Sequence, residues 1–139
     1  MDVALDYNVV FSALYNKGVS YRLFLVNHIT QAVKFFVPSY FWQELKKKEE
    51  KLKNLTKLSK EEYDIIFNII KSQIIAVPDE IVRLGVEEAK AITPDPEDVP
   101  YVAVSIALKI PLLTGDLKLK NALKDKIIVY SPAELLKIL

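Results

Sequence analysis

Short apolar runs alternate with longer segments of helical spacing along the whole chain. The apolar runs predict five strands, at residues 3–6, 34–37, 74–77, 111–114 and 127–130. Helices are predicted at residues 8–15, 20–32, 79–92, 99–108 and 117–123, after Ser39, which is expected to cap its helix, after the Ser59–Glu62 capping box and after Ser131. Strands that alternate with helices favour an α/β fold with a mainly parallel sheet of about five strands and helices on both faces. No linker, repeat or low-complexity segment interrupts residues 1–139, so we expect a single domain.

The composition limits the classes of protein that the chain can represent. Of its 139 residues, 51% are hydrophobic and 27% are charged, which is typical of a globular domain. The chain contains no cysteine, which excludes disulfide frameworks and thiolate sites and suits a reducing compartment. No apolar run approaches the roughly 18 residues that span a membrane, and the N-terminus lacks the pattern of a signal peptide. We therefore expect a cytoplasmic protein that does not associate with a membrane.

The charges are balanced overall but unevenly distributed. The formal net charge is +1, so no global basic field points to nucleic acid. Lysines nevertheless cluster in two segments, residues 46–60 and residues 118–126. Solvated helix faces are the general explanation for such runs. The alternative is a rim of ammonium groups that contacts the phosphates of a nucleic acid.

Four acidic residues stand out by their positions relative to the predicted elements. Asp6 ends the first predicted strand, Asp116 follows the fourth, and Asp98 directly precedes the apolar helix 99–108. Glu44 lies inside a predicted helix, beside aromatic and apolar residues rather than in the lysine-rich run. Ligands bind at the carboxyl edge of parallel sheets. If their strands are neighbours, Asp6 and Asp116 lie at that edge, and the helices that follow strands begin there too.

A cluster of carboxylates points to a divalent cation. Like charges within ~4–6 Å raise each other's pKa and oppose folding, and a cation between them removes that repulsion. Mg²⁺ prefers oxygen ligands and usually keeps waters beside one or two carboxylates and a substrate phosphate. Bound there, it can polarise a phosphodiester, help to generate hydroxide and stabilise the leaving oxygen. This chemistry needs neither cysteine, which the chain lacks, nor its single histidine.

Each candidate also has a purely structural interpretation. The three aspartates each precede a predicted helix, where an aspartate N-cap usually contributes ~1 kcal/mol. Glu44 lies within a helix and cannot cap it, so its alternative is an exposed helix-forming residue. Thr114 either fills the strand or orients a carboxylate through its hydroxyl. Asn8 either caps the first helix or forms a hydrogen bond near Asp6.

Several short motifs resemble those of PIN-domain nucleases, and they occur in the order found in that family. The segment Leu5–Ala13, which contains Asp6, resembles the opening motif. The segment Asp95–Ala103 is similar to the third acidic motif, and a buried helix and then Leu113–Asp116 follow it, as in the family. The ending, Ser131–Leu136, resembles the last helix of the family. The resemblance covers the whole chain.

The resemblance implies a Rossmann-like, three-layer fold with strand order 3-2-1-4-5 and an endoribonuclease that depends on Mg²⁺ or Mn²⁺. It also implies that the metal and a carboxylate, of Asp6 or Asp98, activate the attacking water. The acidic quartet of the family falls on Asp6, Glu44, Asp98 and Asp116, of which the three aspartates are the expected metal ligands. Glu49 and Glu50 lie close to Glu44 in the sequence and are the alternatives for the helix acid.

The resemblance extends to the substrate and the partners. Many members have another acid two residues after the last aspartate, where this chain has Lys118. The missing acid removes a ligand expected for a second metal ion but not for the first. The residues expected to contact RNA are Asn8, Ser12, Thr114, Lys46, Lys47, Lys118 and Lys120, and Lys48 belongs to the same run of lysines, 46–48, that is expected to hold the RNA backbone. The small size resembles the toxin components of VapC-type toxin–antitoxin modules, which implies a small antitoxin partner and a homodimer.

Three other functions are compatible with the sequence. Lys118 leaves room for a catalytically silent PIN-like module that binds RNA or a protein. The second is a nuclease of the same fold that processes DNA or matures ribosomal RNA. A phosphoacceptor receiver domain is the third, but it needs a mid-chain strand that ends in an aspartate. Here the third predicted strand ends in Pro78 and Asp79, and Asp79 is expected to cap the next helix.

Overall fold

The computed structural model describes all 139 residues, which form a five-stranded parallel sheet covered by helices. In chain order the elements are β1 (Asp2–Leu5), α1 (Tyr7–Tyr15), α2 (Val19–Thr30), β2 (Lys34–Pro38), α3 (Tyr40–Leu55), α4 (Lys60–Gln73), β3 (Ile74–Val77), α5 (Asp79–Ile92), α6 (Val99–Leu108), β4 (Leu112–Leu113), α7 (Leu117–Leu123), β5 (Val129–Tyr130) and α8 (Pro132–Ile138). A short 3₁₀ turn, Pro96–Asp98, joins α5 to α6. No helix in the structure has the length and apolar composition that crossing a bilayer requires.

The strand order is β3-β2-β1-β4-β5, and all neighbouring strands are parallel. This order confirms the predicted α/β fold and places β1 at the centre of the sheet. Leu5 of β1 is in register with Leu113 of β4, and the amide of Asp6 donates to the Leu113 carbonyl at 3.0 Å. Asp6 and Thr114 therefore follow two neighbouring strands and lie side by side at the carboxyl edge of the sheet.

Alternate side chains of the central strand enter two separate cores. Val3 and Leu5 pack in the first core, with side chains from α1, α2, α3, α4 and α8. Ala4 packs in the second core, with side chains from α5, α6 and α7. Tyr101 is the exception, because it belongs to α6 but packs with the first core. Its side chain therefore connects the two helical layers.

The contact between α5 and α6 depends on a glycine. A Cβ atom added at Gly85 would lie 2.3 Å from the carbonyl oxygen of Ala103, closer than real Cβ atoms approach. A side chain at this position would push the two helix backbones apart. Gly85 thereby allows α6 to pack closely against α5 and the sheet. Asp98 immediately precedes the first residue of α6.

Two predicted helix caps are wrong. Ser39 precedes α3, but its side chain makes no cap hydrogen bond. Its hydroxyl donates instead to Asp79 Oδ1 at 2.6 Å. Asp79 does not cap α5 either, because Pro78 occupies the N-cap position and Asp79 is the first helical residue. The two side chains tie the starts of α3 and α5 to each other, a pairing between distant segments that local sequence does not reveal.

The remaining boundaries follow local backbone constraints. The predicted helices 99–108 and 117–123 agree with α6 and α7 at both ends. The helix predicted at 20–32 begins at Val19 and ends at Thr30, because Gln31 adopts a left-handed conformation with φ 53°. The last strand is shorter than predicted. The amides of Lys126 and Ile127 both donate to the Leu123 carbonyl and hold these residues in the turn that ends α7.

Candidate active site

Asp6 is the buried acid at the end of the central strand. Only 3% of its surface is exposed, and although it occupies the N-cap position of α1, its side chain makes no cap hydrogen bond. The hydroxyl of Thr114 donates to Asp6 Oδ2 at 2.8 Å. Asn8 Nδ2 donates in turn to Thr114 Oγ1 at 3.3 Å. Of the two interpretations of Thr114, the orientation of a carboxylate is therefore the one that the structure supports.

A set of polar contacts connects the end of β1 to the turn after β4. The amide of Gly115 donates to Asn8 Oδ1 at 3.1 Å, and the amide of Asp116 donates to Thr114 Oγ1 at 3.1 Å. Asn8 therefore bonds to the neighbouring turn and does not cap α1. These contacts fix the position of Asp116 relative to the central strand.

Asp116 does cap a helix. Its Oδ1 accepts from the amides of Lys118 at 2.9 Å and Leu119 at 3.3 Å, at the start of α7. The structural interpretation is thus correct for Asp116, unlike Asp6 and Asp98, whose side chains make no cap hydrogen bond. The cap uses one carboxylate oxygen and is compatible with a ligand on the other.

Glu44 is a buried residue of α3 and not an exposed helix former. Its Oε1 accepts a hydrogen bond from the hydroxyl of Tyr101, and its Oε2 accepts from Lys48 Nζ at 2.7 Å. Glu49 instead pairs with Lys53 at 3.0 Å, and Glu50 is exposed. Glu44 is the glutamate of this helix whose charge reaches the aspartates, because it raises the pKa of both Asp6 and Asp98.

Sequence reasoning missed Tyr101, and it treated Lys48 as a possible RNA contact without its pairing to Glu44. Tyr101 was hidden in the apolar helix, although it lies three residues, about one turn, after Asp98. Lys48 was hidden in the lysine run, although its spacing of four residues from Glu44 puts both on one helix face. Both signals are local spacings to a residue that was already a candidate.

The four acids, Asp6, Glu44, Asp98 and Asp116, form what we call the acidic edge. Burial is the largest cause that raises the pKa of Asp6 from 3.8 to about 7; the Thr114 hydrogen bond opposes this rise, and the charges of Asp98 and Glu44 add to it. Burial likewise raises the pKa of Asp98 to about 6, and the charges of Asp95, Asp116, Glu44 and Glu97 raise it further. The structure thus brings the predicted quartet into one electrostatic field.

Two cavities flank the turn between β4 and α7. The first, about 380 Å³, is lined by Asp98, Asp116 and Lys118 with the loop before them. The second, about 350 Å³, is lined by Ser12 and Gly115, with Ser131 at the start of α8. Because Gly115 and Asp116 are adjacent in the chain, both cavities border the same turn.

The lysines predicted to contact RNA lie in different environments. Lys118 lines the first cavity, beside Asp98 and Asp116. Lys46 and Lys47 are exposed on α3. Lys120 forms an ion pair with Glu134 of α8, so its charge is already partly neutralised. Of this set, Lys118 is the one that shares a cavity with the acids.

The donor set of the acidic edge fits Mg²⁺ or Mn²⁺ in kind, because all four side chains offer carboxylate oxygens. No group of three acidic side chains lies close enough in this structure to surround one ion. Mg²⁺ usually takes only one or two carboxylates and retains several waters, so a carboxylate pair is sufficient. Burial is the main cause of the raised pKa of Asp6 and of Asp98, and neighbouring carboxylates add a repulsion that a cation would relieve.

Comparisons with known proteins agree with this architecture. The family model described as PIN domain matches residues 4–126. Among solved structures, the chain is similar to one described as VapBC2 from Rickettsia felis bound to a DNA fragment from their promoter. The TM-score is 0.61, with 18% identity over 94% of this chain and 98% of that chain. Such a likeness shows a shared fold. No match is found among curated proteins.

Proposed function

This chain belongs to the PIN domain family, and on that basis we propose that it is a divalent-metal-dependent endoribonuclease. The observation that supports this most directly is the buried Asp6 carboxylate, anchored by Thr114 at the end of the central strand and in the electrostatic field of Asp98 and Glu44. A fold-stabilising role alone does not account for it, because the burial of Asp6 raises its pKa to about 7 and opposes its charged form.

In the proposed mechanism, a pair of carboxylates from the set Asp6, Asp98 and Asp116 would hold the metal. When bound, Mg²⁺ or Mn²⁺ would supply Lewis-acid polarisation of the phosphodiester and lower the pKa of the attacking water. Thr114 holds the Asp6 carboxylate in one orientation. Asp98 is half-buried and lines the first cavity, and its pKa of about 6 suits a group that accepts a proton from water near neutral pH.

The test is cleavage of a labelled single-stranded RNA with Mg²⁺ or Mn²⁺, with EDTA as the metal-free reference. Wild type should cleave only with metal, and Asp6→Asn and Asp98→Asn should lose most of the rate while remaining folded by circular dichroism. Asp125→Asn, which removes an exposed carboxylate, is the control that should keep its rate. A DNA oligonucleotide of the same sequence distinguishes a ribonuclease from a DNA-processing nuclease. No cleavage by folded wild type with either metal would contradict the proposal.

A second candidate is the catalytically silent module that binds RNA or a protein. Two observations favour it: no three acids converge on one point, and both oxygens of Glu44 already accept hydrogen bonds from Tyr101 and Lys48. This candidate predicts RNA binding that EDTA does not change and an absence of cleavage. The same assay, run with binding as a second readout, separates the two functions.

We also propose a toxin role in the cytoplasm, with a small antitoxin partner and a homodimer. The support is the resemblance to VapC-type toxins and the fold shared with the VapBC2 structure. Light scattering of the purified chain should give a mass near twice 15.9 kDa if it forms the homodimer. A mass near that of one chain would contradict the dimer. An antitoxin should copurify with the chain from its native host and inhibit cleavage.

A further inference from the structure

We propose that Lys48 binds a phosphate of the substrate at the acidic edge, and that Glu44 and Tyr7 are positioning residues that hold its ammonium group there. This inference rests on the proposed nuclease function. It selects one lysine of the run 46–48 by the two contacts that fix its ammonium group. It names a residue of substrate binding and assigns Glu44 a task other than metal ligation.

Two contacts fix the Lys48 ammonium group. Nζ donates to Glu44 Oε2 at 2.7 Å, and it lies over the ring of Tyr7, 4.7 Å from the ring centroid. Glu44 is itself fixed, because the Tyr101 hydroxyl donates to its other oxygen. Tyr7 directly follows Asp6 in the chain, so the ring under the ammonium group belongs to the same turn as the central acid.

The accessibility of this pair is asymmetric. The side chain of Glu44 is 8% exposed, whereas that of Lys48 is 42% exposed. An ammonium group has three N–H donors, and Glu44 accepts from one of them. The anion is therefore buried while the cation keeps a face toward solvent with donors to offer. This is the arrangement expected of a group that meets an anionic ligand from solution.

The local charges explain why a cation is needed at this place. A phosphate that approaches the acidic edge is repelled by the carboxylates, and a lysine among them offsets that repulsion as a point charge. Burial lowers the pKa of Lys48, but the hydrogen bond to Glu44 and the charges of Glu44 and Glu97 outweigh it. The net effect raises the pKa, so Lys48 remains protonated.

The same helix provides a matched comparison. Lys53 pairs with Glu49 at 3.0 Å, also four residues earlier, and lies over the ring of Tyr63 at 5.9 Å. The chemistry is the same, but Glu49 is 39% exposed and contributes to no shift in the pKa of Asp6 or Asp98. Lys53 is therefore a control that has the contacts of Lys48 without its location.

The experiment measures binding of a labelled single-stranded RNA by fluorescence anisotropy, in EDTA, over a series of KCl concentrations. For single strands, each lost phosphate contact should reduce the slope of log K against log salt by about 0.7. Lys48→Met should show this reduction and a raised KM for Mn²⁺-dependent cleavage. Lys48→Arg should keep the slope, and Lys53→Met should match wild type in both readouts.

A purely structural role for Lys48 is tested separately. Lys48→Met leaves the buried Glu44 charge without its partner, which destabilises the fold by leaving an uncompensated charge. The double variant Glu44→Gln with Lys48→Met removes that charge and should restore the melting temperature. If Lys48 binds phosphate, the double variant still has the reduced salt slope. If the salt slope and the melting temperature of the double variant both return to their wild-type values, Lys48 has only a structural role and the proposal is overturned.

The outcomes also separate this inference from the proposed function. If wild type cleaves RNA with metal but Lys48→Met keeps the wild-type salt slope and KM, only the assignment of Lys48 fails. If folded wild type neither binds nor cleaves RNA, the proposed function fails and the assignment fails with it. A reduced salt slope and a raised KM in Lys48→Met support the assignment if Lys53→Met keeps the wild-type values of both.

Discussion

Replacing Asp6 by asparagine should stabilise the metal-free protein at neutral and alkaline pH. The Asp6 carboxylate is buried at the end of β1, and this burial raises its pKa from 3.8 to about 7. Asparagine has nearly the same shape, carries no charge, and its amide oxygen can accept the hydrogen bond that Thr114 donates. The substitution therefore removes a buried negative charge and keeps its main contact.

The sign and size of the effect follow from the two pKa values of Asp6. Below pH 3.8 the carboxyl group is protonated in the folded and unfolded states, and the charge imposes no penalty. Between pH 3.8 and about 7 the unfolded chain releases the proton while the folded protein retains it. The free energy of unfolding therefore falls by about 1.4 kcal/mol per pH unit, or roughly 4 kcal/mol in all, and is constant above that range. Allowing ~1 kcal/mol for an imperfect hydrogen bond, we expect Asp6→Asn to gain roughly 2–4 kcal/mol at pH 8.

The assay is urea unfolding of wild type and Asp6→Asn in EDTA, between pH 4 and pH 8.5. The difference in the free energy of unfolding should grow as the pH rises toward 7 and then remain constant. Because the charges of Asp6 and Asp98 interact, the difference between the two proteins reports the loss of the Asp6 charge together with the altered titration of Asp98. Asp125→Asn, at an exposed position, should show no such trend. A difference that does not vary with pH, or an Asp6→Asn protein that is less stable at pH 8, would refute the reasoning.

Four further substitutions, at three positions, and the addition of a metal ion test other parts of the structure. Gly85→Ala should lower the free energy of unfolding by about 1–3 kcal/mol in urea, because its Cβ would meet the Ala103 carbonyl. Asp116→Ala should lose ~1 kcal/mol in the same assay through the lost cap of α7, whereas Asp116→Asn should keep the cap but respond less to metal. Thr114→Val should raise the pKa of Asp6 further, measured by carboxyl ¹³C NMR, because it removes a hydrogen bond that lowers that pKa. Mg²⁺ or Mn²⁺ should raise the melting temperature of wild type, and less so that of Asp6→Asn, because a ligand of the folded state stabilises it by mass action.

The fold was predictable because its signals are local and repeated. Each short apolar run lies between segments of helical spacing, and parallel strands with helical crossovers are the common solution to that pattern. The bounds of α6 and α7 were predicted to the residue, since an apolar helix after Asp98 and a capped turn at Asp116 mark their starts. The two incorrect caps, at Ser39 and Asp79, failed because these side chains bond to each other across 40 residues of chain.

The acids of the candidate site were predictable, but their partners were not. Asp6 follows a strand and was visible as the end of an apolar run. The hydroxyl that orients it belongs to Thr114, 108 residues away, and only the register of β1 with β4 brings the two together. Tyr101 is similar: its spacing of one turn from Asp98 makes it a candidate, but only the assembled sheet shows that its hydroxyl donates to Glu44. Long-range pairings of this kind depend on the assembled sheet.

The hydrogen bonds that each of the four carboxylates accepts indicate whose protonation should change most when a cation binds. Asp6 accepts from Thr114, Glu44 accepts from Tyr101 and Lys48, and Asp116 accepts from two amides at the start of α7. Asp98 is half-buried, accepts no hydrogen bond from a side chain or a helix amide, and has its pKa raised by burial and by neighbouring carboxylates. Hydrogen bonds thus partly offset the charges of the other three acids, whereas no such hydrogen bond offsets the charge of Asp98. A cation bound at the edge would supply the compensation that the fold does not, so Asp98 is the carboxylate whose protonation should be most sensitive to metal and to substrate.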